Sequence, residues 1–179
     1  MTLQETVFQG LIRFFMHPFP RNRSIDFKTQ LKKTNRVLIS CPPGKEHVSF
    51  NKAITDITSL FPKEGLVVLT TYHGEIKTHP SLNNAIHFIN ISEKNPWNII
   101  RSPALKQLAQ HRFDVLLDMD PEFSLLNIYL CRLLRPPVRI CFPKPYSEHY
   151  YNLQYNGKPN TPYPQKIEGL FQFLQSLLS

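Results

Sequence analysis

Short runs of nearly uninterrupted apolar residues, separated by segments with helical spacing, constrain this chain more than any other feature. RVLISC (36–41), LVVLTTY (66–72), AIHFINI (85–91), FDVLLDMD (113–120) and VRICF (138–142) each read as a strand. None alternates strictly between apolar and polar residues, so each is expected to be buried on both faces, as in a parallel sheet covered by helices. Between the first two, Phe50, Ala53, Ile54, Ile57, Leu60 and Phe61 recur at helical spacing before Pro62 and Gly65 close the segment. Residues 102–112 read as a helix with Ser102 as cap and Pro103 in its first turn, and residues 122–134 and 166–178 read as two more. Residues 72–84 read as loop, and so does the stretch 143–164 with its five tyrosines and five prolines.

This alternation predicts an α/β fold: a single Rossmann-like three-layer domain over residues 36–179, with a mostly parallel sheet of five or six strands. Residues 1–35 read as a basic, N-terminal helical extension. Val7, Phe8, Leu11, Ile12 and Phe15 share one helical face, and His17-Pro18 ends it. That helix is expected to pack on the flank of the domain. The alternative is an interfacial helix with Arg13, Arg21 and Arg23 at lipid headgroups.

A chain of 179 residues has room for one domain of this kind and not for two catalytic ones. Its net charge is +8, from 21 basic and 13 acidic residues, and half of the surplus falls in residues 1–35, which hold six basic and two acidic residues. The surplus suits an anionic partner, such as an anionic acceptor molecule or a membrane surface, and it equally suits solubility. No Lys/Arg run or recognition motif accompanies it, which argues against nucleic acid. The odd, widely spaced Cys41, Cys131 and Cys141 make no disulfide framework, so a reducing compartment is expected. No stretch approaches the ~18 apolar residues of a membrane span, and the N-terminus lacks a secretory signal pattern. The expected location is the cytoplasm, with peripheral contact at the inner face of the membrane as an extension of it.

In an open α/β sheet, ligands bind beyond the carboxyl ends of the strands, and three segments qualify. The first is CPPGKEH, carrying Gly44, Lys45, Glu46 and His47. It has neither the three glycines of a dinucleotide fingerprint nor the Ser/Thr of a Walker loop. Glu46 reads either as a general base or as an ordinary carboxylate at a helix start. The second is Asp118-Met119-Asp120, where two carboxylates on one side of an extended chain could share a proton or a metal. The plainer reading makes Asp120 the cap of a helix that begins at Pro121. The third is the tyrosine-rich loop with Tyr146, Glu148, His149, Tyr150, Tyr151, Tyr155 and Tyr163, whose rings either stack on a ligand or stiffen the loop. The seven histidines show no ligand spacing, so no metal site is expected, and no cofactor either. No serine sits in a nucleophile elbow, which disfavours a hydrolase.

Taken together and in order, these segments resemble the N-terminal, acceptor-side domain of glycosyltransferase family nine, the heptosyltransferases of lipopolysaccharide core assembly. RVLISC, PPGKEH and the helix closing at Leu60-Phe61-Pro62 resemble the family's opening strand, loop and helix. LVVLTTY resembles its next strand, FDVLLDMD its F-D-x-x-I-D-L-Q element, and LLNIYLCRLL with RICF its leucine-rich helix and R-I-G-F strand. The resemblance covers about residues 36–155. It implies a bacterial source and one half of a GT-B architecture of two facing Rossmann-like domains. It places Glu46 where the family has its catalytic aspartate and Lys45 where it has glycine, and the longer side chain displaces the carboxylate. In such enzymes the C-terminal domain holds most of the nucleotide-sugar site, and no such domain follows here. The expected function is therefore a binding or accessory protein, non-catalytic on its own, partnered by another chain or by itself. Two alternatives stand beside it: the acceptor half of a split transferase completed by another chain, and a basic adaptor for membrane or nucleic acid.

Overall fold

The computed structural model describes residues 25–42, 44, 46–61, 65–70, 86–90 and 103–179, with backbone alone at 47, 51, 52, 58, 70 and 86–90. The expected helix over residues 3–16, Lys45, the connection 72–84 and the Ser102 cap lie outside the described residues.

The described elements are α1 (Phe27–Lys32), β1 (Val37–Ser40), α2 (Glu46–Leu60), β2 (Leu66–Thr70), β3 (Ile86–Asn90), α3 (Pro103–Ala109), β4 (Val115–Asp118), α4 (Leu125–Leu134), β5 (Val138–Cys141), β6 (Leu153–Gln154) and α5 (Tyr163–Leu178). The strands form one six-stranded sheet in the order β3-β2-β1-β4-β5-β6, and all five pairings are parallel. This is the doubly wound Rossmann-like order, in which the direction of winding reverses between β1 and β4. No helix among the described residues is long and apolar enough to cross a membrane.

Burial on both faces follows from the apolar runs. Val37, Ile39, Val115, Leu117, Val138 and Ile140 join one core with Phe50, Ile54 and Ile57 of α2 and Ile167, Leu170 and Leu174 of α5. Leu38, Leu116 and Cys141 face the opposite core with Leu105 and Leu108 of α3 and Ile128, Leu130 and Cys131 of α4. Leu31 of α1 belongs to the first core, and Lys32 Nζ donates to the Ser179 carbonyl of the chain's last residue at 3.3 Å. The short helix α1 thus packs against the domain, whereas the helix whose packing was expected, over residues 3–16, lies outside the described residues.

Several boundaries differ from expectation. The helix expected from Glu122 begins at Leu125, because Ser124, not Asp120, is its cap: Ser124 Oγ accepts the Asn127 amide at 3.4 Å. Asp120 instead turns its own side chain onto the Glu122 amide at 2.9 Å, closing a tight turn through Pro121. The helix expected over 102–112 ends at Ala109, where tightened bonds from Gln110 to Gln107 and from His111 to Leu108 stop it. The last helix starts three residues earlier than expected, at Tyr163, with Pro164 in its first turn. The tyrosine-rich stretch is not all loop, since it holds a 3₁₀ turn (Ser147–His149) and the sixth strand. Arg139 anchors that return. Its Nε donates to the Tyr150 carbonyl at 2.6 Å, its guanidinium to the Pro136 carbonyl at 2.7 Å, and its amide to Asn152 Oδ1 at 2.8 Å.

Candidate functional site

The strand register decides what gathers at the carboxyl edge. Ser40 pairs with Asp118 and Asp118 with Cys141, so these residues form the last row of the β1–β4–β5 ladder. By alternation the row faces the side on which α4 packs. Polar Ser40 and Asp118 therefore meet the start of α4, and Asn127 receives them. Ser40 Oγ donates to Asn127 Oδ1 at 2.6 Å, and Asn127 Nδ2 donates to Asp118 Oδ1 at 2.7 Å.

Asp118 is fully buried and uses both oxygens. Oδ1 also accepts the Asp120 amide at 3.0 Å, while Oδ2 accepts Lys144 Nζ at 2.6 Å and the Tyr151 hydroxyl. Lys144 donates a second bond to the Asp120 carbonyl at 2.7 Å, and its ammonium lies 5.6 Å from the centre of the Tyr151 ring. Of the two carboxylates expected in Asp118-Met119-Asp120, Asp118 is thus one half of a buried ion pair, reinforced by a phenol and an amide, while Asp120 gives Lys144 only its backbone carbonyl. Burial, and then the Asp118 charge, push the Tyr151 hydroxyl well up. Burial also pushes the Cys41 thiol well above its usual value and the Cys131 thiol up to about 12, which leaves both un-ionised and unreactive.

Beside this network, over the β1/β4 reversal, lies a cleft of about 240 Å³. Ser40, Cys41, Asp120, Glu122, Phe123, Ser124, Leu126 and Asn127 line it. Such a reversal is where open α/β sheets bind ligands. Asp120 is 6% exposed, and burial, followed by the nearby Asp118 charge, raises its carboxyl to about 6. Between pH ~4 and ~6 the unfolded chain releases this proton while the folded chain keeps it, so stability falls as pH rises through that window and stays lower above it. Asp120→Asn keeps the acceptor for Glu122. It should flatten this slope and add about 1–2 kcal/mol above pH 6, solvent in the cleft trimming the full effect. Thermal unfolding of both proteins between pH 4 and pH 7.5 checks this, and parallel curves would contradict it.

The other residues expected at the site are placed differently. Gly44 takes a left-handed backbone with φ +66°, which permits the turn from β1 into α2. Glu46 begins α2, and His47 follows it. Glu46 is half-buried and lies outside the residues that line the cleft. It stands near Tyr163, whose hydroxyl donates to the Met119 carbonyl at 2.6 Å. Tyr163 titrates well above its usual value, chiefly through burial and then through Cys41, Asp120, Asp118 and Glu46. Glu148 and His149 are exposed on the 3₁₀ turn and pair at 3.5 Å, away from the cleft. Tyr150 is buried, with the Arg132 guanidinium 5.9 Å from its ring centre. Among the described residues no three His, Cys, Asp or Glu side chains gather as a metal-ligand set. Tyr151 was one of the rings expected in the tyrosine-rich loop, but Ser40, Asn127 and Lys144 were not among the expected site residues. The one local signal for them was Ser124 at the head of LLNIYLCRLL, which as a cap would have turned Asn127 toward the strand ends.

No protein-family model matches the chain, and no curated protein is found to be similar to it. Among solved structures, the Helicobacter pylori ADP-L-glycero-D-manno-heptose-6-epimerase is similar over 86% of this chain and 53% of that chain, with 14% identity and a TM-score of 0.33. The chain thus spans about half the length of that enzyme.

Proposed function

We propose that this chain is a binding or accessory protein of glycosyltransferase-like architecture, non-catalytic on its own, which holds a small polar ligand in the β1/β4 cleft. The observation that carries this reading is the buried network that backs the cleft behind Ser40 and Asn127. Asp118 is engaged by four donors and Lys144 by two acceptors, so the charged groups buried behind the cleft hold the strand ends together rather than stand ready for proton transfer. The wall above them offers Ser40, Asp120, Glu122 and Asn127 to a ligand. The setting proposed is the cytoplasm, with another chain or a second copy as partner.

Glu46 favours a second reading, the acceptor half of a split transferase. It starts α2 at the same edge of the sheet, close enough for its charge to act on Tyr163. There it would take the proton of an acceptor hydroxyl while a partner chain brought the sugar nucleotide.

Purification from native cells followed by native mass spectrometry tests both. A small molecule bound one-to-one to the wild type, and lost in Leu126→Trp, which fills the cleft from α4, is the expected result. Thermal unfolding should show that variant within about 1–3 kcal/mol of wild type. A stably bound chain with a nucleotide-binding domain, and an activity that Glu46→Gln abolishes, would replace the binding reading with the transferase one. A ligand retained in Leu126→Trp would overturn the cleft assignment.

A further inference from the structure

The β1/β4 cleft is acidic although the chain carries a net charge of +8. Its buried backing, the Asp118–Lys144 pair at 2.6 Å, is neutral in sum and does not itself line the cleft. Its wall adds Asp120 and Glu122, and among the described residues neither makes an ion pair. Asp120 is the telling group. It is 6% exposed, it lines the cleft, and its Oδ1 is engaged by the Glu122 amide. Among the described residues Oδ2 has no hydrogen-bond partner. Among the described residues the charges around it are Asp118 and Glu122, which oppose its ionisation, and Lys144, which favours it but is held by Asp118, while Tyr163 on α5 is neutral. Among the described residues an ionised Asp120 is therefore poorly solvated and short of a free counter-charge, and a cation supplies both. Ser40 Oγ and the carboxylates are acceptors for N–H donors, and Phe123 and Leu126 provide an apolar wall for a short body. A phosphate or carboxylate would instead stand against Asp120 and Glu122.

We propose that the cleft binds a small primary amine, with its ammonium on Asp120 and its body against Phe123 and Leu126. This rests on the reading of the β1/β4 cleft as the ligand site. A volume of about 240 Å³ admits one small molecule, on the order of a dozen non-hydrogen atoms at most.

Matched probes isolate the ammonium: glucosamine against glucose, and cyclohexylamine against cyclohexanol. Each is titrated into the isotope-labelled full chain at pH 7.5, and the backbone amides of residues 124–127 are followed by NMR. At least one amine should shift those amides and bind about tenfold more tightly than its neutral partner, as a charge-assisted hydrogen bond supplies. Asp120→Asn should remove most of that preference, and so should lowering the pH to 5. Neutral probes binding as tightly as amines at the same amides would overturn the amine inference and leave the cleft reading standing. If no probe, charged or neutral, moves those amides, both fall. The comparison of matched probes uses the wild-type chain, so it stands even if the variant folds poorly.

Discussion

Lys144→Met should destabilise the protein by about 3–5 kcal/mol, the effect of stripping one partner from a buried ion pair. The Lys144 side chain is 4% exposed and that of Asp118 is fully buried, so no water waits to solvate the carboxylate left behind. Lys144 also ties the 142–146 loop to the Asp120 carbonyl, so the β4 and β5 ends lose a strap as well as a charge. Chemical denaturation gives the single loss, and a double-mutant cycle with Asp118→Asn gives the coupling. The double variant should be less destabilised than the sum of the singles by about 1–3 kcal/mol, because it buries no lone charge. Strict additivity would show that the pair is not coupled.

Gly65→Ala should cost about 3 kcal/mol, the upper end of what overpacking does. A Cβ built at Gly65 lies 1.7 Å from the Asn35 carbonyl oxygen and 2.8 Å from its carbon, both backbone atoms with no rotamer by which to withdraw. Relief requires the start of β2 to move away from the segment leading into β1, where Leu66 pairs with Val37. Asp114 Oδ2 clamps that segment by accepting the amides of Asn35 and Arg36 at 2.9 and 3.0 Å, which resists the movement. Gly169 offers the contrast. Its added Cβ would lie 2.3 Å from the Tyr155 hydroxyl, the far end of a side chain that can swing aside, so Gly169→Ala should be the milder change. Denaturation midpoints of the two variants check the order, and a Gly65→Ala midpoint at or above that of Gly169→Ala would contradict it.

The strands were legible because burial on both faces leaves an unbroken apolar run, and RVLISC and FDVLLDMD carry theirs to the last residue before the site. The parallel order followed from the intervening helical periodicity. The candidate site was legible only in part. Asp118 stood out as a carboxylate at a strand end, but its cation is 26 residues away and its phenol 33, and nothing local in the sequence pairs them. Ser40 is 87 residues from Asn127 and meets it only once β1 and β4 are aligned. Asp120 was read as a helix cap because Pro121 follows it. The side chain did find a backbone amide, but in a tight turn before the helix. β6 escaped notice because two residues cannot display a period.

The brevity of β6 bears on how copies of this chain can meet. A sheet ends in unpaired amides and carbonyls, and a long bare edge invites a neighbouring molecule to add its own strand. Here the β6 end offers only Leu153 and Gln154, with Gly157 and Pro159 close behind, too little ladder to hold a foreign strand. Among the described strands, sheet-to-sheet extension across molecules, whether in a specific dimer or in amyloid-like aggregation, would have to start from β3, at the opposite end of the ladder and five residues long.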